Sequence, residues 1–451
     1  MENKKMYAAQ NGIIDGVIWK QLLLFFFPIM LGSFFQQFYN TIDAVVVGQF
    51  VGKNALAAIG GSAAAIISLI IGFFGGIGSG ASVIISRYFG SQDRNGVSRS
   101  ICTIYAFSLI ASIFVTVVGV ILTPAMLTAM NTPEELMKES VLYLRIYFAG
   151  IVFTFIYNIG SYVLRALGDS KRPLSYLVIC SVINIGLDIV TVVGFGMGVE
   201  GVAIATVIAQ AVSAVLVTRA LTKAEDLCDF SIKDIKIHKE LLKSQMLLGL
   251  PGGFQTAMYS FSNMIIQAAV NGFGTDATAA WAAYGKLDAI FWMVSGSFGI
   301  AITTFVGQNF GAGKIGRVKK SVKVCIGMDL VVSIAMTIVL IVFRIPLFKI
   351  FTTDMKVVEL GAYMLSLMVP YYSIFVFIEI LSGALRGIGD AIIPMLMTMF
   401  GVCFLRIAWI MFVLPIYPVV ETIVYSYPIS WVVTAVMLIG YYWFRAAKLG
   451  E

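Results

Sequence analysis

The sequence predicts an all-α polytopic membrane protein, with twelve transmembrane helices in two pseudo-symmetric six-helix lobes around a central cavity. Of its 451 residues, 59% are hydrophobic and only 12% are charged, whereas about a quarter of a soluble protein's residues are charged. The apolar residues suffice for twelve spans, since a membrane helix needs about 20 of them. The apolar runs are continuous, and the two halves of the chain repeat each other. This composition excludes a soluble enzyme, a disordered chain and a disulfide scaffold.

Twelve apolar runs are long enough to cross a bilayer. The first, second and eighth exceed the length that a bilayer requires, so we expect them to tilt, kink or extend into water. We place the spans near residues 21–49, 55–86, 101–123, 141–164, 174–194, 199–219, 244–270, 279–308, 322–343, 362–384, 392–415 and 420–444.

Positive charge is distributed unevenly among the loops between these spans. All but eight of the 31 Lys and Arg residues lie in the N-terminus, in the loops after even-numbered spans, or at the C-terminus. Because Lys and Arg are concentrated in cytoplasmic loops, we expect a multi-pass protein of the cell (inner) membrane with both termini in the cytoplasm. This role accounts for the positive charge, so we expect no nucleic-acid partner.

The spans and charges divide the chain into three parts. Residues 1–220 form the predicted N-terminal lobe, residues 221–243 a cytoplasmic linker, and residues 244–451 the C-terminal lobe. The linker mixes charges of both signs, and we expect part of it to be amphipathic and to lie on the membrane surface. We expect a monomer whose other contacts are membrane lipids and small organic substrates.

The two halves carry the same motifs at a nearly constant spacing. RALGDSKRP at 165–173 matches RGIGDAIIP at 386–394, and FGSQDRNGVSRS at 89–100 matches FGAGKIGRVKKS at 310–321, both 221 positions apart. Pro28 pairs with Pro251 at a spacing of 223. Each half has an even number of helices, so the repeat is parallel and its axis lies along the membrane normal. Such repeats build transporters whose lobes rock around a central cavity.

Two aspartates at membrane depth are the first candidates for function, because ionisable groups there are costly. Asp43 lies late in the first run, and Asp188 follows Asn184 by four residues, so the latter two share a helix face. Thr206 lies on the next span. These oxygens could bind Na⁺, or the two carboxyl groups could share a proton, because neighbouring carboxylates repel when both are charged. Alternatively, Asn184 and Thr206 only form hydrogen bonds between helices.

The second half lacks this set of polar residues. The positions equivalent to Asp43, Asn184 and Asp188 are apolar or aromatic, namely Ile266, Leu405 and Trp409. We therefore expect ion chemistry to be confined to the N-terminal lobe. The C-terminal lobe has buried charges of its own, among which Glu379 and Arg406 lie on adjacent spans. These two either contact substrate or form a structural pair.

No cofactor is expected, and no metal other than Na⁺ at the coupling site. The five cysteines are scattered and lie mostly within apolar runs, which indicates packing rather than disulfides or metal ligands. The lone histidine, His238, lies in a charged loop. The glycine-rich segment at 72–82 lacks the Lys-Ser/Thr ending of a phosphate-binding loop, so we expect no ATP hydrolysis.

These features favour ion-coupled export of organic molecules. An aromatic, Met-rich cavity suits amphipathic organic cations through stacking and cation–π contacts. A flippase for a lipid-linked precursor would need several Arg and Lys to hold a pyrophosphate, and the spans offer few. An intramembrane enzyme would need a metal set or a nucleophile with its base, and an Asp43–Asp188 dyad is the one arrangement that could serve.

The combined motifs resemble one family over essentially the whole chain. They are YNTIDAVVVG in the first span, NIGLDIVTVVGFGMGVEGVAIAT across the fifth and sixth, and the paired RALGDSKRP and GALRGIGDAIIP. They resemble the MATE (multidrug and toxic compound extrusion) transporters, in particular the DinF-like prokaryotic branch. The resemblance implies a MOP-superfamily antiporter that exports organic cations and other xenobiotics by alternating access, in exchange for H⁺ or Na⁺.

The resemblance also implies roles for individual residues. Asp43, Asn184, Asp188 and Thr206 correspond to a cation site in the N-terminal lobe, and Pro28 corresponds to the proline at which the first helix bends. The NorM-like branch has a glutamate early in the seventh helix, where this chain reads FQTAMYSFSN, so we expect no ion site of that type in the C-terminal lobe. The superfamily includes lipid-linked sugar flippases, which makes export of a lipid-linked precursor or a dedicated metabolite the alternative.

Overall fold

The chain is almost entirely helical. The computed structural model describes residues 12–224, 228 and 230–448, and no strand occurs among them. Twelve long helical segments are accompanied by short helices at Gly12–Asp15, Ile232–Asp234 and Arg344–Lys349. The long segments are α1 (Ile18–Val51), α2 (Lys53–Gly90), α3 (Arg94–Ala129), α4 (Glu134–Ala149 and Ile151–Ala166), α5 (Lys171–Gly194), α6 (Val199–Thr222), α7 (Lys239–Asn271), α8 (Thr275–Gly311), α9 (Ile315–Val342), α10 (Met355–Gly387), α11 (Ile392–Phe412) and α12 (Val420–Lys448).

Most of these helices have the length and composition of membrane spans. Ten qualify within the described residues, and α4 is the eleventh if its two halves, which are bent by 53° at their junction, form one span. The twelfth is α7, which has 33 residues. Glycines, glutamines and serines lower its hydropathy, so its place in the repeat identifies it better than its apolarity does. The predicted helical membrane fold with two six-helix halves is confirmed.

The helices that carry candidate residues are irregular. α1 continues as an α-helix through Pro28 and ends in a π-helical segment, Val47–Val51. Pro28 has no N–H, so the carbonyl of Leu24 loses its usual helical partner. α5 also ends in a π-helical segment, Ile189–Gly194. Such segments are rare and frequently occur at functional sites.

The internal repeat is visible in the backbone as well as in the motifs. Gly168 and Gly389 lie 221 positions apart and have φ angles of 89° and 86°. At the same spacing, Gln92 and Gly313 have φ angles of 61° and 71°. These left-handed residues follow the ends of helices, where they supply the common C-terminal turn. The two halves therefore end equivalent helices in the same way.

The chain divides into two compact units. Among the described residues, the first unit contains 24–253 and the second contains 12–23 together with 254–448. The divisions fall inside α1, shortly before Pro28, and inside α7, shortly after Pro251. The predicted boundaries instead lay at the ends of the linker. Hydropathy and charge do not show against which unit each end of a long helix packs.

Within the first unit, α2 and the first half of α7 approach each other through glycines. A Cβ atom on Gly76 would lie 2.6 Å from the Cα atom of Gly253, and one on Gly80 would lie 2.7 Å from the carbonyl oxygen of Gln245. These distances are too short for any side chain, so glycine is what permits the close backbone approach. The buried side chain of Gln245 also donates a hydrogen bond of 3.0 Å to the carbonyl of Ser100 on α3.

Within the second unit, the short helix Gly12–Asp15 is held by basic side chains. Arg317 on α9 donates a hydrogen bond of 2.9 Å to the carbonyl oxygen of Ile13. Lys314, which precedes α9, forms an ion pair with Asp15. These contacts explain why residues 12–23 belong with the second unit.

The cysteines and the linker contribute to packing. All five cysteines are buried, as the predicted packing role requires. In the linker, Cys228 and Phe230 are buried in the core of the first unit, with the ring of Phe230 centred 5.0 Å from that of Tyr105. These two residues are therefore not presented to a membrane surface, which corrects the expected surface-lying stretch at this point. Residues 225–227 and 229 of the linker lie outside the described residues.

Candidate functional site

A cavity of about 500 Å³ lies within the first unit, between α1, α2, α4 and α6. Asp43, Thr206 and Gln210 contribute carboxyl, hydroxyl and amide groups to its wall. Five further polar side chains line the cavity, and tyrosine rings and aliphatic side chains supply its apolar surface. The tyrosines in the wall are Tyr39, Tyr143, Tyr147 and Tyr157.

The structure brings together the two aspartates that lie 145 positions apart in the sequence. The carboxyl groups of Asp43 and Asp188 are close enough to interact directly with each other. Asp43 lies one turn before the π-helical end of α1, and Asp188 immediately precedes that of α5. A carboxyl pair can form a hydrogen bond only when one member carries a proton. The geometry therefore favours one proton, or one cation, between them.

Several polar atoms around this pair have no hydrogen-bond partner among the described residues. They are buried side-chain atoms on three helices, and a satisfied structural network would leave few such atoms. Neither Asn184 nor Thr206 forms the interhelical hydrogen bond that a purely structural role would require. The atoms are Oδ1 of Asp43, both side-chain polar atoms of Asn184, both carboxyl oxygens of Asp188, Oγ1 of Thr206 and Oε1 of Gln210.

The oxygens of this arrangement can bind either a proton or an alkali cation. Carboxylate, amide and hydroxyl oxygens are hard ligands that suit an alkali cation, and the two carboxyl groups can equally bind one proton between them. In both cases the ion would neutralise charge that is otherwise buried at a high cost. The site has an apolar support, because Val46, Val47 and Val192 pack in one buried cluster beside it.

Gln210 was not predicted as a site residue, although its spacing from Thr206 points to it. Gln210 follows Thr206 by four residues on α6, so the two share a helix face, and both line the cavity. Gln210 is only 7% exposed. A neutral amide is less conspicuous than a carboxylate in an apolar run, but a buried amide at membrane depth is likewise a candidate for function.

We expect the substitution Gln210→Leu to weaken ion binding without abolishing it. Loss of one oxygen ligand costs about 1 kcal/mol, so the ion concentration for half-maximal transport should rise by about fivefold. Ion-dependence curves of dye efflux from proteoliposomes measure this change. Gln37→Leu, at an exposed position on α1 outside the cavity wall, is the matched control. An unchanged curve for Gln210→Leu would show that its amide takes no part.

The second unit does not reproduce this site at the equivalent positions. Trp409 replaces Asp188, and its indole N–H donates a hydrogen bond of 2.9 Å to the carbonyl of Thr422. Ile266 replaces Asp43 and is 1% exposed. The indole of Trp409 is thus satisfied by a backbone carbonyl, and the side chain of Ile266 needs no hydrogen-bond partner. Neither position offers an ion ligand, in agreement with an asymmetric pair of lobes.

Glu379 and Arg406 do not form the pair that was considered for them. Glu379 lies 4.0 Å from Arg386, seven residues later on α10. The guanidinium of Arg406 instead lies 3.8 Å from the ring centre of Tyr427, and one of its N–H groups donates to the hydroxyl of Ser430 at 3.2 Å. Arg406 lines a cavity of the second unit, and Glu379 does not. The two residues therefore belong to different environments.

Comparison with known proteins identifies the architecture. A family model described as MatE matches the chain twice, over residues 28–190 and 251–412. The chain belongs to the MatE family. The two matches begin at Pro28 and Pro251, the prolines paired in the internal repeat, and so confirm that the two halves repeat one sequence unit. As a MATE protein, the chain is a membrane transporter and not an enzyme.

Individual relatives extend over nearly the whole chain. Probable multidrug resistance protein YoeA of Bacillus subtilis is 29% identical over 436 residues, which are 95% of this chain and 94% of that protein. Multidrug export protein MepA of Staphylococcus aureus is 22% identical over 416 residues, covering 91% of this chain and 90% of its own length. The solved structure of a MOP superfamily transporter from Pyrococcus furiosus matches with a TM-score of 0.90 at 21% identity, over 98% of both chains. The last comparison establishes the fold.

Proposed function

We propose that this MATE protein is a multidrug efflux antiporter, which exports amphipathic and mostly cationic organic compounds in exchange for H⁺ or Na⁺. The observation that carries the proposal is the pairing of Asp43, which lies in the wall of a cavity lined partly by tyrosines, with the buried Asp188. The names of the relatives support export of drugs as the wider activity. Two acids beside several unpartnered oxygens support coupling to a small cation.

The proposed mechanism uses the position of Asp43 on α1. When the ion binds between Asp43 and Asp188, it draws together the π-helical ends of α1 and α5, which contact each other. α1 can change shape at Pro28, where one helical hydrogen bond is already missing. The resulting movement of α1 would alter the wall of the cavity and release the substrate. Ion and substrate thus compete through the conformation of one helix. This competition amounts to a coupling free energy between the ion site and the substrate site.

Dye efflux from proteoliposomes tests the proposal. Purified protein is reconstituted with internal ethidium under an imposed proton gradient, a sodium gradient or no gradient. The proposal predicts efflux that one gradient drives well above the rate without a gradient. Equal rates under all three conditions would contradict ion coupling. Absence of ethidium movement under every condition would instead favour a dedicated metabolite or a lipid-linked precursor as the substrate.

We expect Pro28→Ala to raise stability and lower transport together. Alanine restores the N–H that hydrogen-bonds the carbonyl of Leu24 and is favoured over proline in a helix interior. The melting temperature should rise while gradient-driven efflux falls by about tenfold, because a continuous helix resists bending by roughly 1–2 kcal/mol more. Pro124→Ala, the same change inside α3, should stabilise the protein without slowing efflux. Wild-type efflux in Pro28→Ala would exclude the bending of α1 as the coupling step.

The lining of both cavities weighs against a lipid-linked precursor. Pyrophosphate recognition requires several basic side chains. Among the described residues, the cavity of the first unit has no Lys or Arg in its wall, and that of the second unit has Arg406 alone. The flippase hypothesis therefore stays second to multidrug export.

We also propose that the protein resides in the cell (inner) membrane as a monomer, with both termini in the cytoplasm. The asymmetric distribution of Lys and Arg supports this orientation. Single cysteines introduced at exposed positions near either end should be protected from membrane-impermeant thiol reagents in intact cells. Labelling at either end without permeabilisation would contradict the orientation.

A further inference from the structure

A second cavity, of about 360 Å³, lies within the second unit between α7, α8, α10, α11 and α12. Its wall contains two opposite charges, Asp288 and Arg406, together with several aromatic rings. The two charged groups form no ion pair with each other in the described part of the chain. Both charged groups line the cavity and can contact a ligand that enters it.

Three donors of the protein already bind the negative charge. Asp288 accepts hydrogen bonds from the hydroxyl of Tyr284 at 3.0 Å and from the indole N–H of Trp292 at 2.6 Å. The hydroxyl of Tyr372 donates a third hydrogen bond to it. Three donors satisfy most of what a carboxylate can accept, so Asp288 has little capacity left for a cationic ligand.

The positive charge is not fully engaged. Arg406 is only 4% exposed and has five N–H donors. One N–H group donates to Ser430, and the face of the guanidinium covers the ring of Tyr427. The Nε atom is buried and has no hydrogen-bond partner among the described residues. A buried arginine with unused donors favours a carboxylate, which can accept two parallel hydrogen bonds from it.

The remaining wall favours an aromatic body for the same ligand. The ring of Trp281 is centred 5.4 Å from that of Tyr284 and 5.8 Å from that of Tyr427, so the three form a continuous aromatic surface beside Arg406. Asn263 and Gln267 add two amide groups to the lining. Stacking on such a surface contributes to binding without requiring a particular ring system.

We propose that this cavity is a binding site for small aromatic carboxylates, with Arg406 as the residue that binds the carboxylate. This site is separate from the ion site of the first unit. It also extends the range of compounds that the proposed exporter would take, from cations to aromatic acids and zwitterions. Binding requires no ion gradient, so its test does not depend on the outcome of the efflux experiments.

Calorimetric titration of the purified full-length protein with two naphthalene derivatives tests the proposal. 2-Naphthoate carries a carboxylate, and 2-naphthamide is a neutral molecule of nearly the same shape. We expect the wild type to bind naphthoate at least about tenfold more tightly than naphthamide, since hydrogen bonds to charged groups are the stronger ones. Equal affinities, or no binding of naphthoate, would overturn the proposal without the use of any variant.

Three substitutions then locate the site. Arg406→Gln should lower naphthoate affinity by about tenfold or more and leave naphthamide affinity unchanged, whereas Arg344→Gln, at an exposed arginine of the same unit, should change neither. Gly285→Leu should abolish binding of both compounds, because Gly285 lines the cavity and a Cβ atom there meets open space. Unchanged naphthoate binding in folded Arg406→Gln or in Gly285→Leu would place the ligand elsewhere and overturn the assignment.

Discussion

Asp43→Asn should reduce gradient-driven efflux to the rate of liposomes without protein. The amide keeps the size of the side chain but removes the charge that attracts the ion, and it cannot take up a proton. Loss of one charged ligand costs about 2 kcal/mol or more, which is a reduction of more than tenfold in ion affinity. Dye efflux in the presence of the driving gradient measures the effect. Dye binding to the purified variant should remain, because the aromatic wall of the cavity is unchanged.

The matched control is Asp276→Asn, the same substitution at an exposed position in the first turn of α8. It should leave efflux at the wild-type rate. Asp188→Asn should behave like Asp43→Asn, because the two carboxyl groups form one pair. If Asp43→Asn retained wild-type efflux at equal expression, the pair would not be the coupling site.

Gly76→Ala should strongly destabilise the first unit. Its methyl group would lie 2.5 Å from the carbonyl carbon of Gly252 and 2.6 Å from the Cα atom of Gly253, and backbone atoms cannot turn aside as a side chain can. Overpacking of this kind costs about 1–3 kcal/mol and occasionally more. We expect a fall in melting temperature of about 5 °C or more and a matching loss of folded protein. Thermal melting in detergent measures both.

The neighbouring residue supplies the control for this prediction. A Cβ atom on Gly75 would lie 3.4 Å from the hydroxyl of Tyr162, which is ordinary contact distance. Gly75→Ala should therefore melt close to the wild type. Equal melting of Gly76→Ala and Gly75→Ala would show that α2 and α7 do not pack through their glycines in the membrane protein.

The sequence predicted the helices well because the hydropathy of consecutive residues is a local property that can be read directly from the sequence. The apolar runs placed all twelve spans, including α7, which is too polar to count among the candidate membrane spans of the structure. The unit boundaries were harder, because they lie within α1 and α7. Which part of a long helix packs against which neighbour depends on distant residues, such as the contact of Arg317 with the carbonyl of Ile13.

Candidate site residues were predictable where burial of charge is costly. Asp43 and Asp188 stood out for this reason, whereas Gln210 did not because it is neutral. The partner of Glu379 could not be predicted from its position on a span adjacent to that of Arg406, because adjacency does not show how deep in the membrane each side chain lies or which way it points. Arg386, seven residues later on the same helix face, was the available alternative partner. Asp288 had a local signal as well, since Trp292 lies four residues after it. Tyr372, which also donates a hydrogen bond to Asp288, comes from α10, and no pattern within α8 points to it.

Reverse coupling tests the central claim most directly, namely that ion and substrate move in exchange through the Asp43–Asp188 pair. Proteoliposomes are loaded with ethidium and diluted into dye-free buffer without any ion gradient, and internal pH and sodium are followed by fluorescent indicators. Outward flow of the dye should drive one of the two ions inward in the wild type, so that its internal concentration rises above the external one, and should drive neither ion in Asp43→Asn. Dye efflux from the wild type without movement of either ion would contradict the antiport mechanism.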